Sequence, residues 1–236
     1  MVGSEGTLGI ITKIILRLMP SPSFIVDLLV PFGTVQQAIK AVPEIMTRGK
    51  AVPSSIEFID KQSMLLTEQY LQTKFPFSHE ADAHLILQFE GNDREGLSDE
   101  IEKIGDICMG NGALEIYVAD NRTTKDKLWK GRKSIAEAVW AYASVQIANE
   151  DIVVPTSRCA ELMDGLQKIC AECNVKYAAY GHLGDGNMHI SLYLEDETPQ
   201  WKDIINNVKY ALYDLVAQLG GTLTGEHGVG LKRAHD

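Results

Sequence analysis

A chain of 236 residues with 45% hydrophobic content is long enough for one large or two modest packed domains, which makes disorder a poor description of it. Its 22 Lys and Arg against 32 Asp and Glu leave a formal charge of −10, and that charge repels nucleic-acid phosphates and anionic lipid. No run approaches the roughly 18 apolar residues of a membrane-spanning helix, and the N-terminus lacks a signal-peptide layout. Four cysteines are too few for a disulfide scaffold, and together these features predict a reduced, cytoplasmic chain without an integral membrane segment or a nucleic-acid partner.

In chain order, Gly3-Ser4-Glu5-Gly6-Thr7-Leu8-Gly9 reads as a tight turn feeding an apolar run from Ile10 to Leu18. A glycine-rich turn of this kind belongs inside a domain. At the other end the glycine-dense segment Gly225 to Gly230 is followed by only a few residues, so the expectation is a piece of a longer protein, cut at both ends. Between them, strands are predicted at Phe24–Pro31, Ser55–Ile59, His84–Glu90, Leu114–Ala119, Asp151–Val154, Tyr177–Tyr180 and Met188–Leu194, with a short one at Thr222–Leu223. Helices are predicted at Val35–Thr47, Lys61–Leu71, Arg94–Met109, Thr124–Tyr142, Ser157–Glu172 and Pro199–Leu219, with Thr34, Asn92 and Thr156 as caps. Cys170 and Cys173 fall late in one of these helices, where they read as small apolar residues on one face rather than a zinc or redox pair. The alternation fits an α+β fold: a largely antiparallel sheet with helices on one face, in the manner of a split βαβ or ferredoxin-like layer.

The segment Gly181-His182-Leu183-Gly184-Asp185-Gly186-Asn187-Met188-His189 carries the most information. Asp-Gly is a strong signal for a two-residue hairpin turn, and counting outward from it sets Gly184 opposite Asn187, Leu183 opposite Met188 and His182 opposite His189. Opposed residues share a sheet face with Cβ atoms about 4.5–5.5 Å apart, close enough for two imidazoles to meet one ion. An exposed cross-strand pair is the plainer alternative. Against it, glycines at 181, 184 and 186 clear side chains from the surroundings, as the approach of a ligand or cofactor requires.

In Gly225-Glu226-His227-Gly228-Val229-Gly230, Glu226 would complete a His2Glu metal site with open positions. Adjacent residues of an extended segment point to opposite sides, so His227 is left free for proton transfer. A solvated turn is the competing reading. Within the helix Thr124–Tyr142, Arg132 falls in the apolar stripe of Leu128, Ile135, Val139 and Tyr142, and an inward arginine needs an anion. That anion is either a protein carboxylate such as Asp151 or the carboxylate of a bound substrate. An arginine fork, a metal and a spare histidine describe chemistry on a small 2-hydroxy acid, with a flavin or nicotinamide to take the hydride.

The segments Gly3 to Thr12, Gly181 to His189 and Gly225 to Gly230 resemble, in order, three landmarks of the FAD-linked oxidases of the vanillyl-alcohol oxidase superfamily. The resemblance is to the group of glycolate oxidase FAD subunits and the D-lactate and D-2-hydroxyglutarate dehydrogenases. It implies that positions 1–20 are the end of an FAD-binding domain and positions 21–236 a ferredoxin-like substrate or cap domain. It further implies a divalent metal, zinc or manganese, on His182, His189 and Glu226, with His227 as catalytic base and Arg132 as carboxylate clamp. Asn187 would lie near substrate and flavin, and Gly3, Ser4 and Gly6 would touch FAD. Partner subunits of a glycolate-oxidase-like complex are implied as well, with a homodimer also open.

Three departures temper these implications. The pyrophosphate-binding glycine loop of an FAD domain is absent from the sequence, as is the terminal tail expected after Gly230, so the isolated chain is expected neither to hold FAD stoichiometrically nor to turn over. Asn149-Glu150 stands before Asp151 where some dicarboxylate-using relatives carry a lysine, which favours a monocarboxylate such as glycolate or D-lactate. A free-standing His2Glu metallohydrolase and a non-catalytic interaction domain are the rival readings.

Overall fold

The computed structural model describes residues 1, 3–49, 52–143, 147–196 and 198–230. Its strands are β1 (Phe24–Phe32), β2 (Ser55–Asp60), β3 (Ala83–Gly91), β4 (Tyr117–Ala119), β5 (Ile147–Val153), β6 (Lys176–His182) and β7 (Asn187–Tyr193). The helices are α1 (Val35–Arg48), α2 (Lys61–Leu71), α3 (Arg94–Gly110), α4 (Arg122–Lys133), α5 (Ile135–Tyr142), α6 (Cys159–Glu172) and α7 (Trp201–Gln218). Thr34 caps α1 as expected, accepting from the Gln37 N–H at 3.2 Å. Asp93 rather than Asn92 caps α3, and Thr156 opens a short 3₁₀ turn without a side-chain cap. The long helix expected over Thr124–Tyr142 is two, separated at Ser134, whose N–H bonds back to Lys130 and Gly131 while its carbonyl starts α5.

The seven strands form one sheet in the order β4-β1-β3-β2-β6-β7-β5, with antiparallel neighbours throughout. The class is the expected α+β. Strands β1 and β2, linked through α1, are split by β3, which is the ferredoxin-like arrangement. The pattern then recurs: β5 and β6, linked through α6, are split by β7, and Thr222 bridges to Val153 on the outer side of β5 as a vestigial fourth strand. Two ferredoxin-like halves therefore meet edge to edge where β2 pairs with β6 through Glu57↔His182, Phe58↔Gly181 and Ile59↔Tyr180.

Strand periodicity assigns the two faces. Leu28, Val30, Phe58, Leu85, Leu87, Met188 and Ile190 point to the face covered by α1, α3, α6 and α7, forming the larger core. On the opposite face Leu29, Ile59, Ile86, Ala178 and Tyr193 pack with Met64 of α2, Leu128 of α4 and Ile135 and Val139 of α5. The second layer of helices adds to the single covered face expected from sequence. It shields only part of this sheet face, and the remainder, over β6, β7 and β5, carries the histidines.

The apolar run Ile10 to Leu18 forms no strand, and Ile10, Ile15 and Leu18 are more than four-fifths exposed. All four cysteines are free; Cys170 is buried on α6 and Cys173 is exposed just beyond it, so the two do not share a buried face.

Candidate active site

The Asp185-Gly186 hairpin has a different register from the expected one. His182 pairs with Asn187, Gly181 with Met188 and Tyr180 with His189, so the connection is the four-residue loop Leu183 to Gly186. The cause is tertiary: the Leu183 N–H bonds to Ile56 O at 2.9 Å and its side chain enters the main core, while Gly186 O accepts from Val154 N at 3.2 Å. A slip of two residues leaves side chains on their original face. His182 and His189 thus still lie on one face, diagonally, with ring centroids 5.5 Å apart. Two of the three glycines are required by the protein's own packing: a Cβ at Gly181 would fall on the Asn187 carbonyl oxygen, and Gly186 takes φ 82° against Val154, whereas a Cβ at Gly184 would make only ordinary contact with Ile56.

The segment after α7 brings Glu226 and His227 to the same place. It is not an extended strand. The buried Asp151 carboxylate on β5 collects the N–H groups of Gly225, Glu226 and His227 on its Oδ2 at 3.0, 2.9 and 2.8 Å, which curls the segment so that both side chains face the sheet. The expectation that Glu226 and His227 point apart is therefore corrected. Glu226 Oε1 lies 3.6 Å from His182 Nε2, 3.5 Å from His189 Nε2 and 3.6 Å from His227 Nε2. The His189 and His227 rings stack at 5.1 Å. Asn187 is buried beneath this segment with its side chain against Gly225, where it supports the backbone.

Arg132 does point inward, but its resident anion is Glu57 on β2 rather than Asp151. Both Nε, at 2.9 Å, and Nη2, at 2.7 Å, converge on Glu57 Oε2. The other oxygen of Glu57 takes His182 Nδ1 at 2.9 Å and the Ser55 hydroxyl at 2.7 Å. The guanidinium lies 5.0 Å over the Tyr180 ring, which is itself 5.3 Å from His189. Glu57 and Tyr180 are site residues that the sequence reading missed. Alternation in β2, with Ile56 and Phe58 facing the core, could have put Glu57 on the site face, but its partner 125 residues away could not be read locally.

Electrostatics follow from this layout. The hydrogen bond that His182 Nδ1 donates to Glu57 raises His182 above its ordinary value against the cost of burial. Burial lowers His189 to about 4, with nearby Asp151 opposing and Arg132 adding to the fall. Burial pushes Asp151 and Glu57 upward, yet the backbone N–H groups on Asp151, and His182 with Arg132 on Glu57, hold both carboxyls below the usual range. The neutral His189 imidazole, with His182 and the Glu226 carboxylate beside it, offers the nitrogen and oxygen donors that suit a borderline divalent cation. His182, His189 and Glu226 offer ligand atoms within 4.8 Å of one another, as do Asp151, His189 and His227. The first set fits better, because Asp151 Oδ2 is already committed to three backbone donors and its Oδ1 faces His189 Nδ1 at 3.4 Å.

Glu5 closes the far side, accepting from Val229 N at 3.0 Å and Gly230 N at 2.9 Å, so the N-terminal glycine turn lies beside the Gly225–Gly230 segment. Around Gly3 and Gly6, both at positive φ, a Cβ would meet nothing within 4 Å.

The family model described as FAD linked oxidases, C-terminal domain, matches residues 21–235. A D-lactate dehydrogenase of Anaerostipes hadrus is 34% identical over 235 residues, covering 98% of this chain and 49% of that protein. Glycolate oxidase subunit GlcD of Bacillus subtilis strain 168 is 31% identical over 233 residues, covering 99% and 48% respectively. The chain therefore spans about half the length of these relatives. Among solved structures, an alkyldihydroxyacetonephosphate synthase shares the fold at TM-score 0.65 and 18% identity, covering 94% of this chain and 44% of that one.

Proposed function

The chain belongs to the family of FAD linked oxidases, C-terminal domain, and from that premise we propose that it forms the substrate-handling part of a flavin-dependent oxidoreductase acting on a small D-2-hydroxy acid of the glycolate or D-lactate type. The observation that carries this reading is the convergence of three imidazole Nε2 atoms on Glu226 Oε1, with an inward arginine two residues of contact away through Tyr180. We assign positions 1–20 to the end of the FAD-binding domain and positions 21–236 to the substrate domain. Gly3, Ser4, Gly6 and Asn187 are the residues we place near the flavin, since the open backbone at Gly3 and Gly6 leaves room for close approach.

His182, His189 and Glu226 would hold a zinc or manganese ion, whose chemistry there is to polarise the substrate hydroxyl and lower its pKa. FAD, when bound, supplies the acceptor for the hydride lost from C2. The remaining work belongs to the chain. His227, stacked on His189 and exposed, takes the hydroxyl proton on its imidazole, so that loss of the proton and of the hydride leaves a 2-keto acid. Arg132 meets the substrate carboxylate through the guanidinium donors that Glu57 does not take. Tyr180 keeps that guanidinium over its ring and so fixes the distance between the carboxylate clamp and the histidines.

The preference for a monocarboxylate rests on Asn149, which faces the site one pleat along from Asp151. It is neutral and bonds the Ser191 hydroxyl at 2.7 Å, so a second substrate carboxylate would meet no cation at that position. Among the described residues no helix is long and apolar enough to cross a membrane, and with four free thiols we place the protein in the cytoplasm. A subunit role in a larger complex, as the name glycolate oxidase subunit GlcD indicates for that relative, belongs to the same proposal.

Titration of the chelator-stripped chain with Zn²⁺ or Mn²⁺ tests the reading: one ion should bind, with affinity lost in His182→Ala and His189→Ala. D-Lactate or glycolate should bind the loaded chain and weaken at least tenfold in Arg132→Lys. No metal binding, or unchanged acid affinity in Arg132→Lys, ends the corresponding assignment, and esterase or peptidase activity of the loaded chain would replace it with metallohydrolysis.

A further inference from the structure

Two buried side-chain atoms face each other without a hydrogen bond. Asp151 Oδ1 and His189 Nδ1 are 3.4 Å apart, and neither has another partner. A buried polar atom left unpaired is costly, so a facing donor and acceptor just beyond bonding distance mark a bond that closes with a small ring rotation. The other histidine shows the closed form. His182 Nδ1 is 2.9 Å from the buried Glu57 Oε1. On both rings a buried carboxylate stands at Nδ1, and Nε2 is the nitrogen turned toward Glu226.

Asp151 does more than Glu57, because its second oxygen collects the three N–H groups of Gly225, Glu226 and His227. We propose that Asp151 is a positioning residue. Its Oδ1 fixes His189 as the Nδ1–H tautomer, leaving the Nε2 lone pair to face the ion, while Oδ2 sets the segment that carries Glu226 and His227. One side chain on β5 thus aligns donor atoms from β7 and from the segment after α7. A ligating histidine's other nitrogen is commonly held by a carboxylate in this way, and loss of such a partner costs roughly 10- to 100-fold in metal affinity.

Asp151→Asn separates this role from simple loop support. Three converging N–H donors keep the amide oxygen on the loop side, so the amide NH₂ turns toward His189 Nδ1 and demands a lone pair there. The ring must then carry its proton on Nε2. Ring ¹⁵N spectra of the histidine-labelled chain at neutral pH, with His189 assigned by its loss in His189→Gln, read the tautomer without metal or flavin. The expected result is Nδ1–H in the unaltered chain, Nε2–H in Asp151→Asn, and a 10- to 100-fold weaker Zn²⁺ affinity in the variant.

An Nε2–H ring in the unaltered chain overturns the proposal by itself, whether or not the variant folds. So does an Asp151→Asn protein that keeps both the Nδ1–H ring and the Zn²⁺ affinity, as loop support alone would predict. Only the affinity measurement rests on the metal assignment above. A chain that binds no metal but shows the tautomer exchange would sink that assignment and leave the role of Asp151 standing.

Discussion

Arg132→Met is the sharpest probe of how the site is built. Arg132 is 9% exposed and its partner Glu57 has a side chain 7% exposed, so removal of the guanidinium strands a buried carboxylate. Breaking one side of such a pair costs about 3–5 kcal/mol. His182 and Ser55 still hold Glu57 Oε1, which places the expected loss at the lower end, about 3 kcal/mol. With a urea dependence of about 2–3 kcal/mol per molar, the unfolding midpoint should fall by about 1 M. Adding Glu57→Gln removes the stranded charge, and the double variant should recover about 2 kcal/mol of the loss. Urea unfolding followed by circular dichroism measures all three proteins. A single variant within about 0.5 kcal/mol of the unaltered chain, or a double variant no better than the single, refutes the picture of Arg132 and Glu57 as mutual partners.

Burial lowers His84 from 6.5 to about 4; it lies on β3, separated from His189 on β7 by strands β2 and β6, with its Nε2 at 3.0 Å from Pro76 O. A folded state that refuses a proton the unfolded chain accepts is favoured above about pH 6.5 and loses that advantage as pH falls toward 4, here about 3 kcal/mol. His84→Gln should flatten the fall in urea midpoint between pH 7 and pH 4.5, and equal slopes would discard the assignment. Gly181→Ala drives a methyl into the Asn187 carbonyl and to 2.9 Å from Met188 Cα; a loss of about 1–3 kcal/mol is expected, with weaker Zn²⁺ binding as His189 shifts. Stability and affinity equal to those of the unaltered chain would show that β7 yields freely. The purified chain should also show no stoichiometric flavin absorbance, and a bound flavin spectrum would contradict that.

The histidine convergence was legible in the sequence even though the hairpin register was not. Asp185-Gly186 is a local turn signal, and it lost to the Leu183 bond with Ile56 and to the docking of Gly186 on Val154, neither of which is near in sequence. The error was an even number of residues, so facing was preserved and His182 and His189 stayed together. Arg132 was correctly read as inward from helical spacing. Its partner was not, because Asp151 and Glu57 can be told apart only from the strand order that sets β2 beside β6. Glu226 was read as the carboxylate completing a His2Glu set and His227 as its free neighbour, yet their common direction depends on the three N–H bonds to Asp151 and not on their spacing.

The seam between β2 and β6 also constrains how this fold can change over generations. Glu57 comes from one ferredoxin-like half and His182 from the other, and only three residue pairs hold the strands in step. A single inserted or deleted residue in either strand would shift the pairing by about 3.3 Å and turn alternate side chains to the wrong face. Glu57 would then face the larger core, and Arg132 and His182 would lose their common carboxylate at once. Length variation should therefore collect in the connections, such as that between α2 and β3, while these two short strands keep a fixed count whatever substrate the surrounding residues come to select.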